Sequence, residues 1–516
     1  MPSVSTVPDP SPTSLRVAVL ADSDTRWKWG ALTARRLAPG SAVHGYLLRG
    51  RATPTARQLA ETGVQADELR EIDAVDFLAE LGDRAHSSDA QDRALGDRAD
   101  AGGAREPYDV LVLSCVGGTI QAMLHGLTRA WESADRRPVV VTGYVGVVYE
   151  KLADGLLLRH GADLILANSP HDAKRFRAVY DGVRADSSAV TECVLPFLGG
   201  RGYDPDAVAR GERPYRVVFA VQPSVPDGRK ERAYLLGRAI EHARRHPERE
   251  VVLKLRSRPG EHTTHVEELP YQRLADRLKD EQPPNFRLAY GNMGEVLDGT
   301  DLLVTVSSTA ALESLQRGIP TVVLSDLGIR EPLGNHYFIG SGCFASWDEL
   351  DDGHLPEPSP EWLADQGITP AAPLPEDHLD EQPSDEHLST EHLSTERLST
   401  EALSEEKISE EELSDSANFN IARGRLVELL GQARQAGLPP LAPYYTARTA
   451  PEYLPRILAR HGLDAKGDPI GAPRADAGPG SGLRRASRTL LRRTARGAYR
   501  AGVQRVAPII RRWGQL

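Results

Sequence analysis

Short apolar runs punctuate the chain from Leu15 onward, and polar or amphipathic stretches separate them. Leu15–Ala21, Ala42–Leu48, Asp109–Leu113, Pro138–Thr142, Ala162–Ala167 and Thr191–Pro196 form one series. Arg216–Val221, Glu250–Leu255, Phe286–Tyr290, Asp301–Val306 and Pro320–Leu324 form a second. Runs this apolar and without polar alternation suit strands buried on both faces of a parallel sheet. Thr55–Thr62, the segments ending near Leu37, Trp131 and Tyr180, and Glu231–Arg245 read as helices between them. Strand and helix therefore alternate, as right-handed parallel units require. Gly199–Pro214, rich in glycine, proline and charge, divides the series. The expectation is an α/β protein with two parallel-sheet domains, 15–198 and 215–354, joined by a linker at 199–214.

The pattern lapses in four places. Residues 1–14 have neither a basic start nor an apolar centre, so they read as a disordered N-terminus and not as a secretory signal. His86–Glu106 has no apolar period and reads as a disordered insertion. From 355 to 416 a pentad recurs, beginning Glu386-His387-Leu388-Ser389-Thr390. A five-residue step turns a helix by about 500°, so its leucines scatter round the axis and bury no face. This is expected to be a low-complexity insertion. Helices at Asn420–Ala436 and Pro451–Gly462 follow within 417–463; the family resemblance given below implies that they return to the first domain. A linker and basic tail occupy 464–516.

The chemistry collects at strand ends. Asp301–Val306 runs into Ser307-Ser308-Thr309, which can cap a helix ending before Gly318. At such an edge of an open α/β sheet, ligands bind and backbone N–H groups favour an anion. Lys254, Arg256 and Arg258 alternate along an extended segment, so they are expected to share a side and clamp phosphate. Asp22 and Asp24 follow the first strand; they cap the next helix, or one of them is the general base that the family resemblance given below implies at this position. Gly117, Gly118 and Thr119 follow another strand. They let backbone approach a ligand, or serve helix–sheet packing. Gly143, Tyr144 and Asn335 sit in loops expected to line the same cleft. His262 and His265 lack a third metal ligand, and no metal site is expected.

Leu312-Glu313-Ser314-Leu315-Gln316-Arg317-Gly318-Ile319-Pro320-Thr321-Val322-Val323 resembles the nucleotide-binding segment of GT-B glycosyltransferases. The Ser-Ser-Thr turn is similar to that of the bacterial capsule, sialic-acid and teichoic-acid polymer transferases. The resemblance implies two Rossmann-like domains facing a cleft. It also implies that Glu313 holds the donor ribose and that serines contact the nucleotide phosphate. It departs in two places. Thr305 stands where many retaining members carry a glutamate, which favours inversion. Arg258-Pro259 stands where the capsule and sialic-acid enzymes carry His-Pro.

Bulk properties refine this. The chain of 516 residues carries a net charge of −11, yet Ser481–Leu516 holds ten arginines and no acid. That leaves −21 on the rest, which disfavours general nucleic-acid binding. The tail suits an anionic membrane surface, or is an idle basic extension. Cys115, Cys193 and Cys343 are scattered, as in a reducing cytosol. No apolar run is long enough to span a bilayer. The reading is a cytoplasmic transferase, peripheral to the membrane if the tail binds it. It would use a nucleotide-sugar co-substrate with no separate cofactor, and a glycan or lipid-linked acceptor. The alternatives are a sugar-nucleotide epimerase or a non-catalytic binder of the same fold.

Overall fold

The computed structural model describes residues 15–93, 106–147, 152–258, 261, 269–370 and 419–470. In the first domain β1 (Arg16–Ala21), β2 (Ala42–Leu48), β3 (Glu68–Ile72), β4 (Val110–Ser114), β5 (Val139–Gly143), β6 (Leu164–Ala167) and β7 (Val190–Glu192) form one sheet. Its order is β3-β2-β1-β4-β5-β6-β7 and every pairing is parallel. In the second, β8 (Tyr215–Ala220), β9 (Arg249–Lys254), β10 (Phe286–Ala289), β11 (Leu302–Thr305), β12 (Thr321–Leu324) and β13 (Phe344–Ala345) take the parallel order β10-β9-β8-β11-β12-β13. This is the two-domain Rossmann-like arrangement of the GT-B fold. Each sheet reverses its strand order once, between β1 and β4 and between β8 and β11, and an open sheet of this kind takes its ligand at such a point.

The helices of the first domain are α1 (Asp24–Leu37), α2 (Ala56–Ala60), α3 (Ala74–Arg93), α4 (Gly117–Ala130), α5 (Leu152–Leu157) and α6 (Pro170–Gly182). Those of the second are α7 (Arg229–Arg245), α8 (Tyr271–Arg277), α9 (Met293–Leu297), α10 (Ala310–Gln316), α11 (Trp347–Asp351) and α12 (Pro360–Asp365). The chain then returns with α13 (Asn420–Gln435) and α14 (Tyr453–Arg460).

Side-chain alternation along the strands builds two cores on the first sheet. Ala18, Leu20, Leu111 and Leu113 join Phe77, Met123 and Leu124 on the α3–α4 face. Val17, Val19, Val110 and Val112 join Trp27, Trp29 and Ala34 on the α1 face. Ala311, Leu312 and Leu315 of α10 belong to this second cluster, so a helix of the second domain is packed into the core of the first. Phe419, Ala422 and Leu426 of the α13 segment complete the same cluster, and Leu454, Leu458 and Leu463 complete the other.

Among the elements that the sequence did not announce, two show why. Glu68–Ile72 is a strand although its residues, ELREI, carry three charges. It stands at the edge of the sheet with four of its five positions off the core, so apolar content did not mark it. Helix α3 continues to Arg93, into the stretch expected to be disordered from His86. Phe77, Leu78, Leu81 and Ala85 form its buried stripe, and a helix anchored that way extends through a polar turn without needing apolar residues there. Residues 94–105, the pentad segment within 371–418, and 471–516 lie outside the described residues, as does the N-terminal stretch 1–14.

Candidate functional site

The two strand-reversal points are used differently. At the second, the chain leaves β8 as Val221-Gln222-Pro223-Ser224 and leaves β11 as Val306–Thr309. A cleft of about 350 Å³ opens over these two loops. That volume falls within the roughly 300–1,000 Å³ of small-molecule sites. The second domain also contributes Lys254, Arg256, Asn292, Met293 and Glu313, and the first contributes Asp24, Thr25, Lys28, Gln58, Glu61 and Phe197.

The hydroxyl turn is set from within. Thr305 donates to the Ala220 carbonyl at 2.8 Å and accepts from the Ser308 N–H at 3.2 Å, pinning the turn to the neighbouring strand. Ser307 is buried, and its hydroxyl donates to the Leu333 carbonyl at 2.6 Å while Gln222 receives its N–H at 3.1 Å. Ser307 is therefore a brace within the cleft wall, which it shares with Ser308 and Thr309. None of the three hydroxyls gives α10 a conventional cap from its N-cap position; Thr309 is helical there, and Ser308 Oγ accepts from the Ala310 N–H at 3.2 Å instead. Thr309 also crosses to the first domain, accepting from the Val147 N–H at 3.4 Å. A Cβ on Gly146 would lie 2.5 Å from that hydroxyl, so the close approach requires glycine.

Glu313 lines the cleft from α10 and is 7% exposed. Among the described residues its carboxylate has no hydrogen-bond partner. Burial raises its pKa, opposed by the positive charges of Lys28, Arg317 and Lys254. Lys254 is 8% exposed and donates to the Leu255 carbonyl at 2.9 Å. Burial, opposed by Glu61, lowers its pKa to about 8. Arg256 reaches the opposite domain, with Nη2 3.1 Å from Asp24 Oδ1 and a further contact to Thr25 Oγ1. Arg258 does not join them. The strand ends at Lys254 and the backbone bends at Arg256, so the expected alternation stops. Arg258 instead lies 5.5 Å from the centre of the Tyr290 ring, and its N–H donates to Glu261 at 2.8 Å.

In the first domain Asp22 and Asp24 part company. Asp22 accepts from the Val116 N–H at 2.9 Å and from Arg26 at 3.1 Å, so it ties β1 to the turn after β4. Asp24 opens α1 and faces the cleft. Lys28, four residues on, shares that face while Trp27, Trp29 and Ala31 are buried in the core. Sequence reading passed over Lys28; its spacing from Asp24, opposite a buried tryptophan pair, was the available signal.

Several residues expected at the cleft are elsewhere. Gly117 packs on Leu158, and Gly118 faces Ile457 of α14. Thr119 lies 3.4 Å from His461, so the returning segment covers this loop. Gly143 packs against Trp29. Tyr144 sits under the Arg159 guanidinium, 4.0 Å from the ring centre. Asn335 is fully buried and organises its own loop, donating to the Gly328 carbonyl at 2.9 Å and accepting from the Arg330 N–H at 2.9 Å. His262 and His265 lie outside the described residues.

One group of metal-ligand type occurs among the described residues. His242, His246 and Asp351 bring their ligand atoms within 4.8 Å of one another. Asp351 is already held by Arg238 at 2.8 Å and Arg245 at 3.1 Å, and it receives His242 at 2.6 Å. Burial holds His242 neutral, with a pKa of about 4. The group joins α7 to α11, and none of its members lines the cleft. A smaller cavity, of about 200 Å³, lies at the amino ends of β4 and β5 between Tyr108, Trp131, Arg137 and Arg434.

Two parallel Rossmann-like sheets, with a cleft over the reversal point of the second, define a GT-B-type protein. A family model described as "Putative glycosyltransferase (DUF6716)" matches residues 17–383. The chain belongs to that family. No curated protein matches the sequence. Among solved structures, a UDP-N-acetylglucosamine 2-epimerase described from Listeria monocytogenes is similar at 11% identity, covering 66% of this chain and 86% of that one, with a TM-score of 0.41. The Neisseria meningitidis UDP-GlcNAc 2-epimerase bound to UDP-GlcNAc is similar at 10% identity over 66% and 90% of the two chains, with a TM-score of 0.37. A Polygonum tinctorium UDP-glucosyltransferase gives 12% identity over 64% and 85%, with a TM-score of 0.38. No helix among the described residues is long and apolar enough to cross a membrane.

Proposed function

We propose that the cleft binds a nucleotide-activated sugar and transfers the sugar to an acceptor hydroxyl. The observation that carries this reading is Glu313, a buried carboxylate facing the cleft without a hydrogen-bond partner among the described residues. Its oxygens open on the cleft and are free to accept from a ligand, and a ribose diol offers two donors to one carboxylate. Lys28, Lys254 and Arg256 stand round the same space with Ser308 and Thr309, as a diphosphate requires.

In the reaction the acceptor oxygen bonds to the anomeric carbon as the bond from that carbon to the phosphate oxygen breaks. The nucleoside diphosphate leaves with the electron pair, and the hydroxyl proton passes to Asp24, the carboxylate that faces the cleft. Fixed cations meet the charge that develops on the leaving group. A single displacement of this kind inverts the anomeric centre, which agrees with a threonine at 305 buried in the turn. The acceptor in this reading is a glycan or lipid-linked chain, brought near by the arginine-rich tail at the cytoplasmic face of a membrane.

The test is nucleotide release from CDP-, UDP-, GDP- and dTDP-sugars, with each donor also titrated by calorimetry. Release from one class identifies the base. Binding without release from any donor would overturn the transfer step, and no binding across the panel would overturn the whole reading.

A further inference from the structure

We infer that Arg256 is a positioning residue that holds the Asp24 carboxylate across the cleft until a diphosphate takes its place. This rests on the proposed function, since it assumes that the cleft receives a diphosphate. Arg256 comes from the end of β9 in the second domain and Asp24 from the start of α1 in the first. Their 3.1 Å contact, with the contact to Thr25, accounts for the hydrogen bonds of the Arg256 side chain among the described residues. All of them therefore go to the other domain. Both partners line the cleft, and so do Lys28, Lys254, Ser308 and Thr309. Asp24 and Thr25 thus occupy Nη2, one of the two nitrogens that a planar two-point contact to phosphate would use.

The two N–H bonds of Nη2 are directed at Asp24 and Thr25, so a two-point phosphate contact through that nitrogen displaces one of them. When a diphosphate enters, it competes for Arg256 with more charge and more oxygens than Asp24 offers. The displaced carboxylate stays in the cleft, because α1 is anchored by the buried Trp27 and Trp29. It is then open to an acceptor hydroxyl. While Arg256 Nη2 is on Asp24 Oδ1, that oxygen is not offered to an acceptor hydroxyl. The base would accordingly become effective only once a donor is in place. An acceptor arriving first would meet a carboxylate already occupied.

Calorimetry of the full chain with inorganic pyrophosphate tests this without knowledge of the base or sugar. The proteins compared are wild type, Asp24→Asn, Arg256→Gln and the double variant, each checked for unchanged circular dichroism. Removing the competing charge should tighten pyrophosphate binding by about two- to fivefold in Asp24→Asn, the scale expected of a partly exposed ion pair. Arg256→Gln should weaken binding. The double variant should show no gain over Arg256→Gln, since the competition needs the guanidinium. Asp24→Asn binding no tighter than wild type would overturn the inference, and so would a gain that persists in the double variant. Turnover by wild type without the gain would overturn this inference and leave the transferase reading standing. The gain without turnover would overturn the transferase reading and leave the exchange at Arg256 standing.

Discussion

Arg57 and Glu261, 204 residues apart in sequence, meet across the two domains with Arg57 Nε 2.5 Å from Glu261 Oε1 and a second contact through Nη2. Arg57 immediately precedes Gln58, which lines the cleft, and it also pairs with Glu61 on the same wall. The pair is a latch that leaves the cleft interior free. It is partly exposed, so its worth is about 0.2–1 kcal/mol and falls with salt. Glu261→Gln should shift the melting temperature by no more than about 2 °C. It should also make the segment between β7 and β8 cut faster by protease. Identical cleavage rates in variant and wild type would show that the pair does not hold the domains together.

Glu313 should trade stability for binding. Burial raises its folded pKa above the unfolded value of 4.5. Its contribution to stability is thus fully present below pH 4.5 and is lost as pH rises through the raised value. Glu313→Gln should match wild type in denaturant midpoint near pH 4.5 and exceed it at pH 7.5. The same variant should bind nucleotide about tenfold more weakly, since hydrogen bonds to a charged group contribute about 1.5–3 kcal/mol. A variant less stable at pH 7.5 would mean that the carboxylate is satisfied internally.

Lys254 makes anion binding depend on pH. Its ammonium loses the proton near pH 8, well below the usual lysine range, because it is buried. The charge facing the cleft is present below that value and lost above it. Pyrophosphate affinity should fall between pH 7 and pH 9, and Lys254→Arg should flatten the profile. An unchanged profile in the arginine variant would assign the effect to another group.

The tail can be examined separately from the cleft. Ten arginines follow Ser481 without an acid, and each basic residue near an anionic bilayer contributes about 1 kcal/mol at low salt. The full chain should sediment with anionic vesicles and release as salt rises, and a chain ended after Ala477 should not. Equal partitioning of both would leave the tail without a membrane role.

The sequence disclosed the sheet centres more readily than their rims. Strands such as VLVLS at β4 and LLVT at β11 are buried throughout and read plainly as apolar runs, whereas ELREI at the rim did not. Lys254, Arg256, Ser308, Thr309 and Glu313 were legible because strand-end position and a motif marked them, and they share one cleft with Asp24. Gly117–Thr119 occupied the same kind of edge but are covered by Ile457 and His461, which lie more than three hundred residues later. No local pattern announces that cover. Nor does one announce that Arg258 turns away, since alternation holds only while the strand lasts.

The return of the chain to its first domain has a consequence for biosynthesis. Phe419, Leu426, Leu454 and Leu458 are core residues of a sheet whose last strand ends at Glu192. A ribosome adding about 5–20 residues per second needs roughly a quarter of a minute to a minute to make the intervening chain. Through that interval the nascent first domain presents two unfilled apolar grooves. The second domain, whose strands lie between β8 and β13, can assemble its own sheet before the first is finished. Folding would then run against the order of synthesis, with the domain made first completed last.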